Sequence, residues 1–156
     1  MAEFWKDTID HLESLHNQAQ EVLAGLSQEA MGWKPVEEAN SLAVLVVHLC
    51  GAERYWLGAV AAQETIQRDR ASEFLVEGLD AERLSARLSA ATSFAWQALW
   101  KLREASLEEE RTSPRDSKTA SLGWVLEYTL AHTALHLGQM QLTRQLWEDW
   151  IAKNAK

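Results

Sequence analysis

Apolar residues recur at helical spacing in four long segments of the chain, with mixed or polar stretches between them. Phe4, Ile9, Leu12, Leu15, Ala19, Val22 and Leu26 stand three to five positions apart, with Lys6, Asp10, Glu13, Asn17 and Glu21 interleaved. This pattern predicts a first helix over residues 3–26. His11 and His16 lie five apart on it, turn to different faces, and are read as surface residues. Gly25, Ser27 and the run Met31-Gly-Trp-Lys-Pro35 mark a loop. Asn40 or Ser41 caps a second helix that reaches Gln63. Its run LAVLVVHLC has the valines of a strand, but Ala52, Trp56, Ala59 and Val60 continue it at helical spacing without a turn signal.

Residues 64–79 are charged and mixed, and read as a connection with room for one helical turn. Asp80 caps a third helix. Its core stripe is Leu84, Leu88, Ala91, Ala95, Leu99 and Leu102, widened by Trp96 and Trp100. Residues 107–121 form a polar loop interrupted by Pro114. The fourth helix runs from Ser121 to Ile151, followed by a basic tail, Lys153–Lys156, expected to fray. Four long helices with no strand signal and no internal repeat predict an all-α fold, a four-helix bundle in a single domain over 1–156. Helix–helix connections in bundles usually take about 2–8 residues. These are longer, so at least one is expected to be a crossover.

The fourth helix carries the candidate chemistry. His132 and His136 lie four apart, which stacks both imidazoles on one helix face. Val125, Tyr128, Gln139 and Thr143 share that direction on a helical wheel, and leucines flank it on both sides, so a polar stripe runs down a buried helix. A third histidine, His48, sits in the second helix on a face with Ser41, Val44, Ala52 and Tyr55. Three neutral imidazoles form the ligand set of an open zinc site, and nickel suits the same donors. The competing reading is a set of core histidines hydrogen-bonded to one another. Cys50 points nearly opposite to His48 and reads as a small buried thiol rather than a ligand. Thr133 follows His132, so the His-Glu-x-x-His metalloprotease helix is absent.

Composition narrows the partners. A formal net charge of −8 argues against unspecific nucleic-acid binding. One cysteine forms no internal disulfide and fits a reducing, cytoplasmic setting. No uncharged apolar run reaches the roughly 18 residues of a membrane span, and the N-terminus has no signal-peptide layout. Eight tryptophans imply a well-filled core or aromatic pocket walls.

Trp33-Lys-Pro35, Asn40-Ser41-Leu42 leading to His48-Leu49, and His132-x-x-x-His136-x-Gly138-Gln139 with Arg144 beyond resemble the DinB-like superfamily. That superfamily includes the YfiT-like bacillithiol transferases and the mycothiol-dependent maleylpyruvate isomerases. The resemblance implies a crossover bundle, often dimeric, with a divalent metal, zinc or nickel, held by His48, His132 and His136. It further implies a metal-dependent S-transferase working with a low-molecular-weight thiol on a small electrophile. Tyr55, Tyr128, Gln139, Trp33 and Arg144 are the pocket candidates, Arg144 as a contact for an anionic thiol cofactor. A non-catalytic metal-stabilised bundle (a sensor or a dimeric assembly module) and a metal-dependent hydrolase are the alternatives. Leu130 and Leu137, pointing away from the histidine face, motivate a homodimer.

Overall fold

Side-chain caps set where the long helices begin. Ser41 is extended, accepts the Val44 N–H on its hydroxyl, and opens a helix over Leu42–Glu53; Asp80 accepts the Arg83 N–H and opens one over Ala81–Leu102. The computed structural model describes residues 2–154. Its helices are α1 (Ala2–Leu23), α2 (Gln28–Gly32), α3 (Leu42–Glu53), α4 (Arg70–Glu73), α5 (Ala81–Leu102) and α6 (Leu122–Asn154). A π-helical segment, Arg54–Ala61, continues α3 without a break.

Two apolar clusters fix the direction of each long helix. Trp5, Ile9 and Leu12 of α1 pack with Leu57, Val60, Leu99, Leu102, Leu122 and Leu126. Ala19, Val22 and Leu23 pack with Leu42, Leu49, Leu84, Leu88, Leu137 and Met140. The start of α1 therefore lies level with the start of α6 and with the ends of the π segment and α5. The order is up, down, down, up. α1 packs beside α5 and α6, and α3 packs beside the same two, so α3 and α5 are parallel neighbours. Residues 62–80 must then return the length of the bundle, about 30 Å for a helix of some twenty residues. This strap is the expected crossover, and it carries α4.

Several boundaries differ from the sequence reading. α1 stops at Leu23 rather than Leu26, because Gly25 takes a left-handed φ of 75° and turns the chain. The polar loop 107–121 contains a hairpin: β1 (Glu110–Thr112) pairs antiparallel with β2 (Thr119–Ser121), with Arg111 opposite Ala120. Arg111 docks this hairpin by donating to the Ala61 carbonyl at the end of the π segment. The loop at Met31 includes the single turn α2, capped by Ser27. α6 runs past Ile151 to Asn154, so the frayed tail expected from Lys153 is helical at its start; residues 155 and 156 lie outside the described residues. The segment Leu42–Ala61 is long and apolar enough to cross a membrane by length and composition, but 72% of it is buried in the bundle. Leu137 is buried and Leu130 packs on the core, so neither faces outward as expected.

His16 is the largest departure. It is fully buried, not a surface residue, because it falls between Leu12 and Ala19 on the stripe that faces α5 and α3. Its Nε2 lies 2.9 Å from both carboxylate oxygens of Glu53, itself 2% exposed, and its Nδ1 lies 2.7 Å from the Thr92 hydroxyl. Thr92 gives its own proton to the Leu88 carbonyl and so accepts from His16. Thr133 completes the layer by donating to Glu53 at 2.6 Å. One residue comes from each long helix, α1, α3, α5 and α6, between the two apolar clusters. Breaking a buried pair from one side leaves the partner stranded, at a cost of about 3–5 kcal/mol. Glu53→Leu should therefore lower the unfolding free energy by about 3 kcal/mol or more. Adding His16→Leu should recover at least half of that loss, as read from urea denaturation midpoints.

Candidate metal centre

The four-residue step on α6 brings the rings of His132 and His136 to 4.4 Å between centroids, with their Nε2 atoms 3.2 Å apart. α3 runs antiparallel beside them and places the His48 ring 5.5 Å from His132 and 5.0 Å from His136. One ring nitrogen from each of the three lies within 4.8 Å of the other two. Each histidine is otherwise held differently. His48 directs Nδ1 to Glu73 Oε2 at 2.9 Å, and Gln139 Oε1 lies 2.7 Å from Nδ1 of His136. An ionised carboxylate only accepts, so His48 Nδ1 carries the hydrogen and its Nε2 keeps a free lone pair.

Glu73 sits on the strap and is gripped by Arg68, whose Nε and Nη2 donate at 2.6 and 2.8 Å. Phe74 lies against the His48 ring at 4.9 Å. The strap reaches this depth because position 51 is glycine: a Cβ there would run into the Glu73 carboxylate. Burial, and then the two neighbouring imidazoles, push His132 down to about 4. Burial is also the main cause that lowers His48, opposed by its hydrogen bond to Glu73.

This donor set fits a divalent ion. Two nitrogens about 2.0–2.1 Å from one tetrahedral zinc lie roughly 3.3 Å apart, close to the 3.2 Å between His132 and His136. The outward hydrogen bonds to Glu73 and Gln139 are those that fix metal-ligating imidazoles. No His, Cys, Asp or Glu among the described residues joins the three as a fourth donor. Cys50 faces a separate cavity of about 310 Å³ beside Arg87 and Phe94, and burial pushes its thiol pKa up.

The remaining pocket candidates divide. Gln139 touches the cluster. Tyr128 stands beside His132 at 5.8 Å between rings. Tyr55 is directed elsewhere: its hydroxyl pairs with Ser113 and receives the Arg115 N–H, anchoring the hairpin. Trp33 packs on Trp147 and Trp150, three turns or more beyond His136, and does not close the site. Arg144 is not free for a cofactor: it donates to the Glu21, Val22 and Ala24 carbonyls, closing the end of α1, and pairs with Glu148. Glu73, Arg68 and Phe74 were missed because residues 64–79 show no periodicity. Their one signal was topological, since a crossover has to lie across some helix pair.

The lowered histidines set a pH dependence for the metal-free chain. Unfolded, His132 takes up its proton near 6.5; folded, it does so only near 4. Its contribution to stability is thus complete above pH 6.5 and is lost as pH falls from there towards 4. Urea midpoints measured from pH 7 to 4 should fall more steeply for the native chain than for His132→Gln.

The comparisons agree with the fold. The chain is similar to the structure titled "Crystal structure of the conserved protein of locus from Enterococcus faecalis", with a TM-score of 0.74 at 16% identity over 90% of this chain and 95% of that one. At that identity the likeness speaks for the fold alone. No curated protein matches. The family described as "Protein of unknown function (DUF1572)" matches residues 1–153, and the chain belongs to that family.

Proposed function

We propose that the chain is a metal-dependent enzyme of the DinB-like type, with His48, His132 and His136 holding one divalent ion. Zinc is the first choice and nickel the second. The observation that carries this reading is the convergence of three imidazoles, two of them pinned through Nδ1 by Glu73 and Gln139. A bound ion would supply a Lewis-acid position able to hold a thiol as thiolate or to acidify water.

The chain's own groups would do the rest. Glu73 holds His48 in the tautomer that presents Nε2, and Arg68 holds Glu73 in place through two hydrogen bonds. Cys50 is turned away from the cluster, so a reacting thiol has to come from outside the chain. The reaction we propose is transfer from such a low-molecular-weight thiol to a small electrophile, in a reducing cytoplasm, with hydrolysis by a metal-bound water as the alternative. His132 and His136 are partly exposed, which leaves the side facing solvent open to both reactants.

Elemental analysis of protein purified without a histidine tag should find about one divalent ion per chain. His48→Ala should lose it while keeping the helical circular-dichroism signal. Gly51→Ala should displace the Glu73 carboxylate and weaken the metal about 10–100-fold, the usual cost of losing such an outer partner. A metal-free protein, or one whose His48→Ala variant still holds stoichiometric ion, contradicts the reading.

A second copy of the chain is the partner we infer for the outer face of α6. Leu135 and Leu142 are 59% and 55% exposed there, on either side of Gly138. A two-fold axis near that glycine would bring the two leucines of one copy against those of the other. Sedimentation should show a dimer at micromolar concentration and a monomer for Leu135→Glu with Leu142→Glu.

A further inference from the structure

Trp124, Tyr128, His132 and His136 follow one another at four-residue steps along α6. The Trp124 indole lies nearly parallel to the Tyr128 ring, 5.1 Å away at 14°, and Tyr128 in turn neighbours His132. Trp56, on the π segment, backs both, with centroids 6.0 Å from Trp124 and 4.8 Å from Tyr128. Beside this row is a cavity of about 520 Å³, walled by Trp56, Trp124 and Val125 on one side and by the β2 strand of the hairpin on the other. Trp124 is 47% exposed, so one face of its indole is open to a further ring. Of the two cations that line the cavity, Arg111 is engaged with the Ala61 carbonyl and Glu109, and Lys118 stands mostly in solvent, 3.9 Å from Asp116.

We propose that this cavity binds a planar aryl group of the substrate, whose reacting end lies at the histidines. The inference rests on the metal-dependent reading above and adds the substrate class to it. Aromatic rings prefer offset-stacked or edge-on neighbours, and the parallel Trp124–Tyr128 pair lets a further ring extend the stack. Trp124 and His132 are eight residues apart, so ring and reacting group would be separated by about 12 Å along the helix. The substrate is then an elongated aryl compound, not a compact electrophile. Its ring would sit between the hairpin and Trp56, with Tyr128 next along α6 towards His132.

The test uses the zinc-loaded full chain and three hydroxamates: acetohydroxamate, a 2-naphthyl compound on a five-methylene tether, and its cyclohexyl counterpart. The naphthyl compound should bind about tenfold more tightly than the cyclohexyl one, and Trp124→Ala should bring that ratio to about one. Equal affinities for the two tethered compounds overturn the proposal, as does a preference that survives Trp124→Ala. If acetohydroxamate itself fails to bind, the metal reading has failed separately. In that case 2-naphthol, titrated into the metal-free chain, decides for the ring site. A saturable shift of the Trp124 indole N–H resonance supports it, and an unmoved resonance overturns it.

Discussion

The Glu53 carboxylate, almost wholly removed from water, is the constraint around which this bundle is arranged. A buried charge is costly unless paired and hydrogen-bonded. Here His16 and Thr133 supply the partners, and Thr92 supports His16. Since the four residues come from four helices, they meet only when each helix stands at one height. Apolar packing above and below tolerates small slips of register, whereas this layer does not. The same alignment sets α3 against α6 at the level where His48 can approach His132 and His136.

The strap plays a different part. Long connections in bundles are often slack, but 62–80 is tied to the site through Arg68, Glu73 and Phe74. It lies along α3, borders the cavity that Cys50 faces, and orients His48 from behind. A carboxylate behind an imidazole fixes the tautomer and raises ligand basicity. The up, down, down, up order therefore bears directly on the site: an ordinary hairpin between α3 and α5 would leave no chain to supply Glu73.

What the sequence revealed, and what it hid, follows from the range of the forces involved. The long helices were legible because apolar periodicity is local, and the three histidines because a four-residue pair on a buried stripe is conspicuous. His16 was misplaced although it sits one turn from Leu12 and three residues from Ala19. Its polarity outweighed its position, and its partner Glu53 lies 37 residues away. The hairpin escaped notice because its strands are three residues long and take their stability from Arg111 and Tyr55, which dock it on the π segment. Arg144 and Trp33 matched a family pattern, yet they close the far end of the bundle, where helix ends need carbonyl partners and cover.

The split of the site between α3 and the last helix bears on how the protein comes into being. A ribosome delivers His48 and Glu53 well before their counterparts His132, His136 and Thr133, Thr133 following Glu53 by 80 residues. Until then the nascent chain must keep the Glu53 carboxylate hydrated and half of its core open. The three imidazoles therefore first meet only once α6 has been made, and any truncated product lacking α6 would carry an unfinished interior.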